Sequence, residues 1–217
     1  MQERPTLTRR RFAAVLATGS VMAVIARSGV AALPPDQQAL VADVEAYFNG
    51  ITTLAARFEQ LAPDGGLSTG ELFIDRGRGA MRFDYDPPSQ VLLVAPGDWR
   101  LIFYDGSIKQ VNVIPLAETP LGFMLEEQVR LAGEVTVEGL RDRGEEIDLA
   151  LIRTEAPDQG RVVLTLAKRP MGLRRWSVTD PQGLTTAIVL SDVRAGVPLD
   201  RSLFVWRDPK MFGWPTD

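Results

Sequence analysis

The residues that could do chemistry are few in kind. The chain has 217 residues with no His and no Cys. Without His there is no Ser-His-Asp triad and no imidazole proton shuttle. Without Cys there is no thiol nucleophile, disulfide or thiolate metal site. A carboxylate site for a hard cation needs clustered acids, and no D-x-D-x-D-G loop occurs. Two acidic doublets, Glu126-Glu127 and Glu145-Glu146, have the composition of a general acid/base pair. Both fall near turn or helix ends, where solvated charge is the ordinary reading. The expectation is a binding protein, not an enzyme, with no metal and no cofactor.

Charge and export signals narrow the partners. Residues 1–32 read as a twin-arginine-type signal peptide. Thr8-Arg9-Arg10-Arg11-Phe12 resembles the twin-arginine pattern, and an apolar run from Phe12 to Ile25 follows. That run is too short and too rich in Ala, Gly and Ser to span a bilayer. Val30-Ala31-Ala32 supplies small residues for cleavage after Ala31 or Ala32. Removing residues 1–32 removes five of the 24 basic and one of the 28 acidic residues, leaving a net charge of −8. That balance argues against nucleic acid and against electrostatic adhesion to an anionic membrane.

The remaining residues, 33–217, read as one domain. Leu40, Val41, Val44, Tyr47 and Phe48 recur at helical spacing over 36–48, with Asp36 as N-cap and Asn49-Gly50 as the stop. The period then changes to two, and strands are expected over 53–60, 72–76, 80–85, 90–94, 100–104 and 110–114. Thr119-Pro120 then starts a short helix carrying Leu121, Met124 and Leu125 on one face. Strands resume over 135–139, 147–153, 162–167, 173–179, 185–193 and 204–206. One large antiparallel sheet needs one face covered, and two short helices are too little to flatten onto it. The expected fold is therefore mainly β: a single curved antiparallel sheet that curls around the short helices as a partial or open barrel.

Parity assigns side chains to the inner wall. Leu72, Ile74 and Arg76 share one face, as do Phe83 and Tyr85, and as do Trp99, Leu101 and Phe103. Any half-barrel packs such residues as ordinary core, and composition does not separate a filled core from an empty cavity. Arg76 is different in kind. A guanidinium aimed into an apolar interior needs acceptors.

In order and spacing, these segments resemble the LolA-like family of periplasmic outer-membrane lipoprotein carriers. Phe58-Glu59-Gln60 fits the family's F-x-Q, and Gly70-Glu71-Leu72-Phe73-Ile74-Asp75-Arg76 fits its second strand. Met81-Arg82-Phe83-Asp84-Tyr85 with Pro87-Pro88, and Thr119-Pro120-Leu121, fit its aromatic strand and the start of its lid. Val197-Pro198-Leu199-Asp200 and Leu203-Phe204 fit its closing strand. Gly77-Arg78-Gly79 stands where the family often has Pro. The resemblance implies a periplasmic, monomeric carrier of lipoprotein acyl chains. An inner-membrane ATP-driven lipoprotein-releasing transporter would load it, and it would deliver to an outer-membrane acceptor. It implies a fold that is mainly β with an α lid, an unclosed β-barrel covered by short helices, and between them an apolar acyl-chain cavity of Phe58, Leu72, Ile74, Phe83, Tyr85, Trp99, Leu101 and Phe103. It implies a lid helix bearing Leu121, Met124 and Leu125, with Arg76 latching that lid through its carbonyls. The alternative on the same fold is a lipid-responsive regulatory or sensor module of the envelope.

Overall fold

The computed structural model describes residues 33–119 and 122–207. The expected signal segment 1–32, the lid residue Leu121 and the apolar tail 211–215 lie outside the described residues. One α-helix, α1 (Pro35–Gly50), precedes the strands β1 (Thr53–Leu61), β2 (Leu67–Asp75), β3 (Ala80–Tyr85), β4 (Val91–Pro96), β5 (Arg100–Asp105) and β6 (Gln110–Pro115). After an irregular segment come β7 (Val135–Asp142), β8 (Glu146–Arg153), β9 (Arg161–Lys168), β10 (Met171–Thr179) and β11 (Thr185–Ala195).

All eleven strands form one antiparallel sheet in the order β6-β5-β4-β3-β2-β1-β11-β10-β9-β8-β7. β1 is bonded to β2 on one side and β11 on the other, so the two halves of the chain meet at mid-sheet. Neighbouring strands rotate by about 20–25°, which coils so wide a sheet through well over half a turn. The edges β6 and β7 do not pair among the described residues, so the barrel is unclosed.

Period two places the apolar residues on the inner wall. Leu54, Ala56 and Phe58 of β1, Leu72 and Ile74 of β2, and Met81 and Phe83 of β3 are buried there. Ile147, Leu149 and Leu151 of β8 and Leu164 and Leu166 of β9 face them in the same core. α1 packs on this wall through Val44 and Phe48, and Tyr47 Oη accepts the Leu173 N–H of β10 at 3.0 Å. The helix starts differently from the sequence reading. Pro34 is the N-cap and Pro35 opens the first turn, where Asp36 sits without capping any N–H. A Pro already fixed near helical φ does the starting.

Two further expectations are corrected. The lid is not an α-helix in the described residues. It is a plug of short 3-10 turns, Leu116–Glu118 and Gly122–Leu125, followed by irregular backbone up to β7. A Cβ at Gly122 would stand 2.6 Å from the Leu116 carbonyl oxygen, so the two turns stack only because that residue is Gly. The expected strand over 204–206 is instead a 3-10 turn, Arg201–Phe204, capped by Asp200 Oδ1 accepting Ser202 N–H at 2.8 Å. The Leu203 carbonyl accepts from Arg82 Nη1 at 2.9 Å rather than from a neighbouring strand. This turn lies against β3 and β4, with Phe204 buried and Trp206 against Tyr104 at 5.9 Å between ring centroids.

Candidate functional site

β2 ends one residue earlier than parity suggested. Arg76 opens a 3-10 turn, Arg76–Arg78, closed by Gly79 at φ +61°. Asp75 and Arg78 form an ion pair at 3.3 Å across that turn. The Gly77-Arg78-Gly79 sequence therefore makes a defined corner that aims Arg76 inward, where it is 8% exposed.

Among the described residues no carboxylate pairs with Arg76; its acceptors are mostly carbonyl oxygens. From the end of α1 come Phe48 O and, at 3.2 Å, Ile51 O. From the plug come Met124 O at 3.1 Å, Glu126 O at 2.5 Å and Glu127 O at 3.2 Å. Carbonyls at a helix C-terminus carry partial negative charge and suit a cation. Burial pulls the guanidinium's pKa below its ordinary value, and the Glu126 carboxylate opposes that pull. Met124, Glu126 and Glu127 direct their oxygens to a side chain about fifty residues away in sequence.

A second tie flanks the first. Asn49 donates to Val129 O at 3.0 Å and accepts from Val129 N at 2.8 Å, and Glu45 Oε1 accepts from Leu131 N at 2.6 Å. Helix α1 thus holds the plug by side chain to backbone bonds over its last turns.

Beneath the plug the interior is nearly full. Tyr47, Phe48, Ile51, Leu54, Leu72, Ile74, Arg76, Met124, Leu173 and Leu190 surround a cavity of about 20 Å³. That admits roughly one water-sized sphere and no alkyl chain. Phe58, Leu72, Ile74, Phe83, Leu101, Met124 and Leu125 are all buried. Phe58 meets Phe83 at 5.2 Å and Tyr85 at 5.1 Å, both edge to face. Burial pushes the Tyr85 phenol up to about 12, against the lowering effect of its hydrogen bond to Gln60. Phe103 and Tyr85 are half-buried.

Trp99 departs from the expectation. It precedes β5, in the turn after β4, and is 66% exposed. Strand parity does not apply to a turn residue, and the indole lies outside the interior. It lines an open groove of about 590 Å³ at the seam between the unpaired edges. Pro115, Leu116, Phe123, Leu125 and Val135 form the groove's apolar surface, and Glu126, Glu134, Arg153 and Glu155 its polar part. Burial first, and then Glu134, raise the pKa of Glu126, while Arg76 lowers it.

Several functional candidates went unseen in the sequence. Tyr47, Phe48, Asn49, Leu173 and Leu190 surround the cavity or tie the plug, and only the helical spacing hinted at the first two. Gly66-Leu67-Ser68-Thr69-Gly70 has the letters of a G-x-S-x-G nucleophile elbow. It lies in the turn and start of strand β2, not in the strand-to-helix turn such an elbow needs. Of the acidic doublets, Glu127 is exposed and Glu146 pairs with Arg175 at 2.9 Å. No three His, Cys, Asp or Glu among the described residues are placed to hold a metal. No described helix is long and apolar enough to cross a membrane.

A family model described as outer membrane lipoprotein carrier protein LolA matches residues 49–207. An outer-membrane lipoprotein carrier protein of Pseudomonas paraeruginosa is 27% identical over 212 residues, 94% of this chain and 95% of that protein. One of the same name from Chromobacterium violaceum is 29% identical over 198 residues, 84% of this chain and 89% of that protein. Among solved structures, a LolA superfamily protein from Nitrosomonas europaea aligns with a TM-score of 0.41 at 13% identity, over 81% of this chain and 99% of that one.

Proposed function

The chain belongs to the LolA family of outer membrane lipoprotein carrier proteins, and from that premise we propose that it carries acylated lipoproteins across the periplasm. It takes them from an inner-membrane ATP-driven transporter and passes them toward the outer membrane, acting as a monomer after residues 1–32 have directed its export. The acyl chains occupy the apolar interior now filled by its own side chains.

One observation carries the reading: a buried Arg76 that ties the end of α1 to the plug over an apolar interior. An apolar core closed by packing alone needs no such charge, because a buried guanidinium adds desolvation cost. A core that must open needs ties that break and reform in one geometry. Each methylene of an acyl chain costs about 0.8 kcal/mol to expose, so a chain of about sixteen carbons costs on the order of 13 kcal/mol in water. Cargo of that kind repays opening the interior. Release then requires that the closed state stay stable without cargo, and the Arg76 bonds supply that stability.

The test is Arg76→Leu. The variant is expected to accept acylated lipoprotein from inner-membrane vesicles and to fail in passing it to outer-membrane vesicles, because the empty closed state has lost its ties. Normal transfer by the variant would sink the latch.

A further inference from the structure

Trp176 is 2% exposed, and its indole N–H has no hydrogen-bond partner among the described residues. It is the one buried side-chain nitrogen or oxygen among them in that condition. Buried polar groups are nearly always paired, so an unpaired donor in a dry wall calls for a reason. Phe at this position would fill the same wall without it.

Its placement suggests the reason. A β-bulge between Leu173 and Arg175 adds one residue to β10, so Leu173 and Trp176 both face inward although three apart. Leu173 lines the residual cavity. Trp176 pairs with Ile188 of β11, two residues from the cavity residue Leu190. From the other wall, Phe83 meets the indole edge-on at 6.3 Å, and Phe83 pairs with the cavity residue Leu72. The indole therefore sits one layer below the cavity, about 7 Å along the strands. Its strand partners there, Leu164 and Ile188, offer no side-chain acceptor. Tyr85 Oη, on the wall facing the indole, donates to Gln60 Oε1 at 2.8 Å.

A saturated alkyl chain entering this layer has nothing to offer an N–H. A carbonyl has. We propose that the Trp176 indole N–H is a hydrogen-bond hook for the carbonyl of an ester- or amide-linked acyl group held in the interior. The protein thereby favours acyl chains over ether-linked or plain alkyl chains of equal length. This inference rests on the carrier reading and names the chemical group that the interior recognises.

The probes are a matched pair: lauroyl lysophosphatidylcholine and its dodecyl ether analogue, which lacks only the carbonyl. Calorimetric titration below micelle formation should show the unmodified protein preferring the ester by about 2- to 10-fold, the range of one net hydrogen bond. Trp176→Phe should abolish that preference and leave ether binding unchanged or tighter. A second measurement needs no variant. The indole 15N–1H signal assigned to Trp176 should move downfield with the ester and not with the ether. Equal binding of the two lipids, or a preference that survives in Trp176→Phe, overturns the hook. An indole signal that responds alike to both lipids also overturns it. Failure of both lipids to bind the unmodified protein overturns the carrier reading itself.

Discussion

The two sides of the plug differ sharply. On the inner side Met124 closes a cavity of about 20 Å³. On the outer side Phe123 and Leu125 line a groove of about 590 Å³. The same four-residue 3-10 turn, Gly122–Leu125, separates a packed interior from an open surface groove. The difference lies in what holds each wall. The inner wall is sheet, bonded strand to strand, with its apolar residues interlocked. Among the described residues the plug has no ladder, and side chains on α1 and the β2–β3 corner hold its backbone. Phe123, Met124, Leu125, Val129 and Leu131 of the plug pack into the same core, but its backbone is held by polar ties where the barrel's is held by strand ladders.

The largest effect should come from the packed side. Phe83 is 1% exposed and touches both Phe58 and Trp176. Phe83→Ala should cost about 3–5 kcal/mol in urea unfolding. A loss below about 1 kcal/mol would mean that the interior is loose already.

Tyr85 gives a smaller, pH-dependent effect on the same wall. Its folded-state pKa of about 12 lies above the ordinary tyrosine value of 10.0. The stabilisation is therefore complete below about pH 10 and is lost as pH rises through 12, since the unfolded chain ionises first. About 2–3 kcal/mol should disappear over that window. Tyr85→Phe should flatten this part of the stability curve, and an unchanged slope would contradict the assignment.

Asn49→Ala tests the plug. It removes a reciprocal pair, at about 1–3 kcal/mol. The loss should appear chiefly as faster hydrogen exchange at Val129 and Leu131, with strand amides little changed. Uniform acceleration would erase the contrast between plug and barrel. Smallest of all, Trp99→Ala at the open groove should shift global stability by less than about 0.5 kcal/mol, read by the same urea titration.

Much of the barrel was legible because period two survives wherever one strand face is buried, as in Leu54, Ala56 and Phe58 or Phe83 and Tyr85. Parity also pointed Arg76 inward, although its strand stops at Asp75. The plug was not legible. Thr119-Pro120 and an apolar run carry the local signs of a helix start, but the described backbone makes only a short 3-10 turn and then aims the Glu126 and Glu127 carbonyls at Arg76. No local pattern reports a bond of that sequence separation. The seam groove was hidden for a related reason. It exists only once the sheet has coiled far enough to bring the end of β6 near the start of β7. Trp176 was hidden by its bulge, which breaks the parity that exposes other inner residues.

The central claim is that acyl chains enter by moving the plug away from α1. A chain without cysteine allows a direct test. Asn49→Cys with Val129→Cys puts one cysteine on α1 and one on the plug, at positions now joined through the Val129 backbone, and loss of free thiol checks that the disulfide has formed. Lipid binding by the doubly substituted protein is then measured oxidised and reduced. The account expects binding to be lost when the disulfide locks the plug and restored on reduction. Equal binding in both states would show that the chains reach the interior without moving the plug, and the account would fail.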